Sequence, residues 1–235
     1  SDLLAAAGIT VGSYKSPDSE TLAKREAEQR KEAKKHAAQA KAVWNEALPI
    51  AGTLAEAYLR GRGITCQLPK SLRFHPNCWH GLTAKRYPAM VAAVQGNQLA
   101  AVHRTYLKTD GSGKADIEPS KMMLGATKRA AVRLSECRKH LVVAEGIETA
   151  LSLSSGLLSA PAGVWAALST SGMRGLALPP VAGHLTIASD GEQAGREAAN
   201  ALAARANDLG WQVTLLPAPD GLDWNDVLMM KGETV

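Results

Sequence analysis

The stretch LTIASDGEQAGREAA, residues 185–199, is the part of the sequence that decides the fold. It opens with a short apolar run typical of a buried strand and continues through the acidic turn Asp-Gly-Glu at 190–192. An alanine-rich segment follows and predicts a helix over residues 193–209, which Gly210 closes. A strand that leads through a short turn into a helix is half of a βαβ unit, which indicates an α/β domain with a parallel sheet.

The sequence on either side repeats this pattern. Apolar runs at residues 141–144, 164–168 and 213–216 predict three more strands, and residues 148–154 predict a short helix. In open parallel sheets ligands bind beyond the carboxyl ends of the strands. The residues that directly follow each strand are therefore the candidates for chemistry.

Acidic residues follow three of these strands. Glu145 follows the first, Asp190 and Glu192 follow the third, and Asp220 and Asp223 follow the fourth. Grouped carboxylates repel one another unless a cation neutralises them, so their convergence at one sheet edge predicts a Mg²⁺ or Mn²⁺ site. Taken singly, each acid is more typical of a cap or a turn, and it is the set that indicates a metal.

Charge is unevenly distributed although the net charge is only +5. Residues 1–140 contain 23 Lys and Arg against 12 Asp and Glu, whereas residues 141–235 contain 4 against 10. A basic region attracts nucleic-acid phosphates, and an acidic, lysine-poor region suits a divalent cation. Part of the basic surplus lies on one predicted helix, where a solvated surface is the more common reason for such a charge run than nucleic-acid contact.

That helix is predicted near the N-terminus. Ser16-Pro17 supplies a cap and a first-turn proline, and residues 19–47 are rich in helix-forming residues without a breaker. The apolar residues Val43, Trp44 and Leu48 come only at its end. We therefore expect only the last turns to contact a core.

The middle of the chain predicts an antiparallel α+β unit. The capping-box pattern TLAE at 53–56 opens a helix that ends at Gly61, and Gly96-Asn97 is typical of a hairpin turn between two strands. The predicted strands cover residues 72–74, 89–94, 99–107, 122–124 and 132–134. The chain accordingly divides into a helical arm (1–50), a smaller basic α+β subdomain (51–138) and an α/β domain (139–235).

Three acidic segments resemble the motifs of the Toprim domain and occur in the same order. VVAEGIETAL at 142–151 is similar to the first motif and IASDGEQAGREAA at 187–199 to the second, while PAPDGLDWNDVL at 217–228 resembles the third acidic segment of bacterial DnaG-type primases. The resemblance covers residues 139–230. It implies a Mg²⁺-binding Toprim domain with catalytic, metal-binding carboxylates at Glu145, Asp190 and Glu192, and with Asp223 assisting a second ion.

The resemblance extends upstream. AVHRTYL at 101–107 and PSKMMLG at 119–125 are similar to the basic core that precedes Toprim in such primases, and PIAGTLAEAYLRGRGI at 49–64 resembles phage- and plasmid-encoded primases, including those fused to helicases. It implies nucleotide or nucleic-acid binding by Arg104, Lys114, Lys121 and Arg196.

The sequence departs from the DnaG pattern at three positions. Glu192 stands where an aspartate is usual, Thr149 stands where an acid is usual although Glu148 is its neighbour, and Asn225 replaces a usual acid before Asp226. Fewer strong ligands imply weaker metal binding or a single metal ion.

Together these features predict a DNA primase core that synthesises RNA primers on single-stranded DNA by metal-dependent nucleotidyl transfer. The alternatives are a non-catalytic Toprim module that binds nucleic acid or a replication partner and, less favoured, a Toprim nuclease. A topoisomerase is disfavoured because all four tyrosines lie upstream in a region too small for a cleavage gate, and an ATPase-linked nuclease because no GxxxxGK[ST] loop is present.

The predicted partners are the DNA template, nucleoside triphosphates and a replicative helicase. We expect a cytoplasmic protein of a bacterial host, encoded by the host, a phage or a plasmid, and no membrane contact, because every apolar run is shorter than the ~20 residues of a span. Three widely spaced cysteines do not suggest a disulfide framework, and His75, Cys78 and His80 lack a second ligand pair for zinc.

Overall fold

The structure is a computed structural model that describes residues 18–136 and 139–232. The predicted cap at Ser16-Pro17, together with Tyr14 and Cys137, lies outside the described residues.

Helix α1 (Ser19–Glu46) is the long charged helix that the sequence predicts. Asp18 caps it, because the Thr21 backbone N–H donates to the Asp18 carboxylate at 2.7 Å. Among the residues of the helix only Ala37 and Ala40 are buried, so the contact with the core is confined to its C-terminal part, as expected. The exception is Leu48, which was expected in the core but is 52% exposed just beyond the helix.

The first sheet is antiparallel with its strands in chain order. It contains β1 (Leu48–Pro49), β2 (Leu72–His80), β3 (Lys85–Val94), β4 (Ala101–Tyr106) and β5 (Lys121–Gly125), and α2 (Leu54–Gly61) lies between β1 and β2 in the chain. The predicted antiparallel α+β unit is therefore confirmed, except that the strand predicted at 132–134 pairs in the second sheet instead.

The two faces of this sheet have different neighbours. The strand register places Val91, Arg104 and Met122 in one row, and Val91 packs with Ala40 on the face that α1 covers. Side chains alternate between faces along a strand. His103, Thr105 and Lys121 therefore lie on the opposite face, toward the second sheet.

The second sheet is parallel except for one edge strand. Its order is β10 (Gln212–Pro217), β9 (His184–Ser189), β7 (His140–Ala144), β8 (Gly163–Ala166) and the antiparallel β6 (Val132–Arg133). The helices of this part are α3 (Ile147–Ser152), α4 (Thr170–Gly175), α5 (Gln193–Asp208) and α6 (Trp224–Gly232). The predicted parallel sheet with flanking helices is confirmed, whereas α4 and α6 were not predicted.

The two sheets share one apolar core. A single buried cluster joins Leu59 and Met90 of the first unit to Val142, Ala144 and Ile147 of the second. Burial of apolar surface is the main favourable term in such packing, so the two units are held against each other. Within the described residues, no helix combines the length and the apolar character that crossing a membrane requires.

Candidate functional site

The predicted acidic site lies at the ends of three neighbouring strands. Strands β7, β9 and β10 are adjacent and parallel, so Glu145, Asp190 and the loop that carries Asp223 leave the sheet at one edge. The Gly191 backbone N–H donates to the Leu222 carbonyl at 2.8 Å, which joins the last two loops.

Gly191 separates the two acids of the central turn for a steric reason. A Cβ atom at this position would lie 1.9 Å from the Pro219 carbonyl oxygen, which is far inside any contact distance. A Cβ at Gly195 would lie 3.1 Å from the Asp190 carbonyl oxygen, so α5 also begins close to the site. The small residues of the DGEQAG stretch let both backbone segments approach Asp190.

Asp190 is the most perturbed carboxylate of this edge. Burial, together with the nearby carboxylates of Glu145, Asp223 and Glu192, raises its pKa to about 7, and Lys121 opposes the rise. The Oδ1 atom is buried and has no hydrogen-bond partner. A buried carboxylate oxygen without a partner, beside three other carboxylates, is an acceptor that a cation would satisfy.

Glu145 lies directly after β7 and is partly buried. Burial raises the pKa of its carboxyl group, the Glu192 carboxylate adds to the rise, and Lys121 together with the Thr170 backbone N–H opposes it. A carboxylate with a raised pKa is a better proton acceptor near neutral pH than an exposed one.

Asp223 and Glu192 both sit at helix N-termini. The Asp223 Oδ1 accepts hydrogen bonds from the backbone N–H groups of Asn225 at 2.7 Å and Asp226 at 2.9 Å, so this oxygen caps α6. Asp226 returns a capping contact by accepting the Asp223 N–H at 2.9 Å. Glu192 is the exposed N-cap residue of α5, and its side chain makes no capping hydrogen bond.

These residues fit a Mg²⁺ ion that retains most of its water ligands. Over residues 18–136 and 139–232, no three His, Cys, Asp or Glu side chains converge as a closed metal cage. Mg²⁺ is commonly held by one or two carboxylates, with water and substrate phosphates completing the octahedron. The orphaned Asp190 oxygen and the neighbouring carboxylates supply such a partial ligand set.

Lys114 and Lys121 reach this edge from the first unit. The Lys121 Nζ lies 3.6 Å from one Glu148 carboxylate oxygen, and the Lys114 Nζ lies 3.9 Å from the other. Burial lowers the pKa of Lys114, and Lys121 and Arg62 add to that effect against Glu148. Lys121 also acts on Glu145 and Asp190 across the interface between the units, whereas Lys114 is placed there by its contact with Glu148.

Arg104 lies on the other face of the first sheet. It is buried, and its guanidinium donates to the carbonyl oxygens of Trp79 at 3.2 Å and Met123 at 3.4 Å. Its neighbour His103 faces the site instead. Burial and the nearby cations lower the pKa of His103 to about 4 against the Glu148 carboxylate, so the ring is neutral at pH 7.

Arg196 lies on the first turn of α5, near the acidic turn. Its guanidinium pairs with the Asp220 carboxylate and donates to the Gly191 carbonyl at 3.4 Å. The Asp220 side chain is 95% exposed, so the pair is open to solvent and to an anionic ligand.

Three functional candidates were not assigned roles from the sequence. Glu148 was noted only as a neighbour of Thr149, yet it accepts a hydrogen bond from the Tyr58 hydroxyl at 2.8 Å. Asn225 was noted only as a lost acid, yet its side-chain amide donates to the Arg62 carbonyl at 2.8 Å and to the Ser152 hydroxyl at 2.9 Å. The position of Glu148 one helical turn after Glu145 was the available signal, whereas nothing local pointed to Tyr58.

Two family models match the chain. Residues 140–234 match the Toprim domain, and residues 34–134 match a domain of unknown function, DUF7146. No curated protein gives a significant match.

Three solved structures are similar to the chain. A DNA primase domain from Pseudomonas aeruginosa has 19% identity and a TM-score of 0.48 over 83% of this chain and 75% of its own. The RNA polymerase domain of Mycobacterium tuberculosis primase DnaG has 17% identity and a TM-score of 0.48 over 85% and 79%. The Aquifex aeolicus primase, in a structure of its zinc-binding and RNA polymerase domains, has 14% identity and a TM-score of 0.51 over 85% of this chain and 59% of its own.

At 14% identity, the similarity to the Aquifex structure concerns the fold alone. The Toprim model matches the residues that form the parallel sheet and its acidic edge, so the two comparisons agree. Residues 140–234 form a Toprim domain, and the fold of the chain is similar to that of the Aquifex primase structure.

Proposed function

We propose that this protein is a primase catalytic core that joins nucleotides on a single-stranded DNA template. The observation that carries the proposal is the meeting of two opposite sets of charges. The carboxylates of Glu145, Asp190 and Glu192 lie at one sheet edge, and Lys114 and Lys121 approach from the other unit. Phosphoryl transfer needs this combination, because catalysis consists mainly of positioning and charge stabilisation.

The residues of the chain have separable roles in this reaction. Lys114 and Lys121 bind the triphosphate of the incoming nucleotide and stabilise the charge that develops on the departing pyrophosphate. Glu145, whose carboxyl pKa is raised by burial, accepts the proton of the attacking 3′-hydroxyl. The 3′-oxygen then forms a bond to the α-phosphorus as the bond from this phosphorus to pyrophosphate breaks.

Asp190, Glu192 and, where it does not act as the base, Glu145 would hold the divalent cation, with Asp223 contributing the oxygen that does not cap α6. A bound Mg²⁺ or Mn²⁺ supplies Lewis-acid stabilisation of phosphate charge.

The proposal is tested by Asp190→Asn. The variant keeps the shape of the side chain and removes the charge at the orphaned oxygen, so we expect Mg²⁺-dependent dinucleotide synthesis on single-stranded DNA to fall below detection. Asp208→Asn, at the exposed end of α5, is the matched control and should remain active. Undiminished synthesis by Asp190→Asn would refute the proposal.

A non-catalytic DNA-binding module is the second candidate. It is favoured by the structural use of Asn225 where an acid is usual, because this leaves fewer carboxylates for a metal ion. Such a module should bind single-stranded DNA equally well in EDTA and in Mg²⁺ and should incorporate no nucleotide. Cleavage of the DNA in the same reactions would instead indicate a nuclease.

The proposed setting is DNA replication in the bacterial cytoplasm, with a replicative helicase as partner. Among the described residues this setting is supported by the basic character of the first unit and by the primase fold. Pull-down of the helicase of the host by the purified chain would test the partnership.

A further inference from the structure

Glu148 is a buried carboxylate in the interface between the two units. It lies on the first turn of α3 in the Toprim domain and is 4% exposed. Its Oε1 accepts the Tyr58 hydroxyl at 2.8 Å and lies 3.9 Å from the Lys114 Nζ, while its Oε2 lies 3.6 Å from the Lys121 Nζ. All three partners come from the first unit.

A buried charge of this kind is costly unless it is paired. Burial alone raises the pKa of Glu148, but Lys121, Lys114, its own backbone N–H and the Tyr58 hydroxyl outweigh it and lower the pKa to about 2. Glu148 is therefore ionised at neutral pH, and the lysines are what keep it so.

Glu148 attracts both lysines, but it does not use all of the N–H donors of their ammonium groups. Their Nζ atoms are 3.6 and 3.9 Å from its oxygens, which is beyond ordinary hydrogen-bond distance. The Lys114 side chain is 32% exposed and the Lys121 side chain 40% exposed, so both ammonium groups keep donors for a ligand. Two cations share one carboxylate, which leaves the cluster with a net positive charge beside the acidic edge.

Lys121 also connects this cluster to the predicted metal-binding residues, because its charge lowers the pKa of both Glu145 and Asp190. An anion bound by the lysines would therefore lie next to those carboxylates. A nucleoside triphosphate has the charge and the reach to do this, and its affinity for fixed cations depends on how well they are preorganised.

We propose that Glu148 is a positioning residue that reaches across the domain interface and holds Lys114 and Lys121 in place for the triphosphate of the incoming nucleotide. This inference rests on the proposed function for its substrate. A role as metal ligand does not fit Glu148, because both of its oxygens face the hydroxyl and ammonium groups of the first unit.

Glu148→Gln is the main test, with ATP as the probe. The amide keeps the shape and the contact with Tyr58 but loses the charge that holds the lysines. We expect ATP affinity to fall about tenfold, both in Mg²⁺ and in EDTA, and KM for ATP to rise by a similar factor while kcat changes less. Glu197→Gln, which removes a carboxylate from an exposed pair with Arg174, is the matched control and should bind ATP as the wild type does.

Glu148→Asp separates charge from packing. It keeps the carboxylate but withdraws it by one methylene, so its ATP affinity should fall about threefold, between the wild type and Glu148→Gln. Unchanged ATP affinity in Glu148→Gln, or equal losses in the two variants, would overturn the inference. If Glu148→Gln does not fold, as judged by thermal unfolding, Glu148→Asp decides alone, and wild-type affinity in that variant overturns it.

The binding measurement separates this inference from the proposed function. A wild-type protein that binds ATP through Glu148 but incorporates no nucleotide would refute the primase assignment and keep the inference. If the wild-type protein makes primers and Glu148→Gln binds ATP normally, the primase assignment is kept and the inference about Glu148 is refuted.

Discussion

The two sheets of this molecule treat charge in opposite ways. Residues 57–109 of the antiparallel unit contain eight Lys and Arg and no Asp or Glu. Arg73 and Arg104 there donate to main-chain carbonyls and lie over the rings of Trp44 and Tyr106, at 4.3 and 5.8 Å. The parallel sheet instead places partly buried carboxylates at its edge. Two of these cations pair with acids of the same unit, Arg60 with Glu56 and Lys108 with Asp116, so the unit keeps a surplus of positive charge.

This difference shows where chemistry is possible. Each charge type on its own destabilises the unit that carries it, through repulsion and loss of solvation. Where the units meet, the lysines of one lie within 4 Å of a buried carboxylate of the other. The candidate site is therefore a property of the interface.

The largest expected effect comes from removing the charge of Lys121, which links the lysines of the first unit to the carboxylates of the parallel sheet. Lys121→Met keeps the stem of the side chain and removes the ammonium group that acts on Glu148, Glu145 and Asp190. We expect nucleotide incorporation to fall about 100-fold, the usual cost of losing one transition-state donor. Steady-state incorporation rates measure this, with Lys70→Met, an exposed lysine of the same unit, as the control. Equal rates for the two variants would mean that the charge sets act independently.

The next prediction tests the uncharged hydrogen bond that Asn225 makes between the two units. Asn225 is buried, and its amide donates to the Arg62 carbonyl and the Ser152 hydroxyl. Asn225→Asp restores the acid that is usual in primases but cannot donate to the carbonyl, so we expect a loss of about 2 kcal/mol in the free energy of unfolding. Urea unfolding measures it.

Asn97→Asp is the matched control for this change. The Asn97 amide also donates to two carbonyls, those of Ala126 and Lys128, but from an exposed position, so the loss there should be smaller. Tighter Mg²⁺ binding by Asn225→Asp without a loss of stability would show that the position belongs to the metal site.

The sequence was sufficient for the features that depend on local pattern. Apolar runs and the acids behind them located β7, β9 and β10 within about two residues, and the parallel order of these strands followed from the intervening helices. The helices α4 and α6 were not predicted, although α6 has nine residues and is longer than α3, which was predicted. The TSGMRG sequence of α4 contains two glycines, and both helices depend on a side-chain cap, from Ser169 and Asp223 respectively.

The third effect concerns the acidic edge and its dependence on pH. The pKa of Asp190 is raised from 3.8 to about 7, so its protonated form is favoured in the folded, metal-free protein. This contribution to stability is present below the unfolded value and is lost as the pH rises through 7. A cation must displace the proton, so we expect Mg²⁺ affinity to rise up to tenfold per pH unit between about pH 5 and 7 and then to level off.

Calorimetric titration in buffers of different ionisation enthalpy measures that displacement. About one proton per ion should be released at pH 6 and almost none at pH 9. Asp190→Asn should abolish the proton release. Release that persists in this variant would assign the proton to another carboxylate, with Glu145 as the first candidate because burial raises its pKa as well.

Features that depend on register between strands were beyond the reach of the sequence. Arg104 and His103 are adjacent, and a shift of one residue exchanges their faces. Only the pairing of Thr105 with Lys121 and of Arg104 with Met122 shows that His103 faces the site while Arg104 faces α1. The contact between Tyr58 and Glu148 spans 90 residues, and no local pattern encodes it.

The smallest expected effect on nucleotide binding is that of Arg104. It tests whether only the His103 face of the first sheet serves the site. The resemblance to primases predicts that Arg104 binds nucleotide or nucleic acid, whereas its guanidinium donates to the carbonyls of Trp79 and Met123 on the face that α1 covers. If the strand register decides which residues bind nucleotide, Arg104→Met should leave ATP affinity within about twofold of the wild type. The free energy of unfolding should fall by about 1 kcal/mol, because the Met123 carbonyl loses its bond to the buried guanidinium while the Trp79 carbonyl keeps the Tyr106 hydroxyl as a donor. Equilibrium ATP binding and urea unfolding measure the two effects, beside Lys121→Met on the opposite face. A tenfold loss of ATP affinity in Arg104→Met would mean that the guanidinium leaves its carbonyl partners when the nucleotide binds, and that both faces of the basic sheet serve the site.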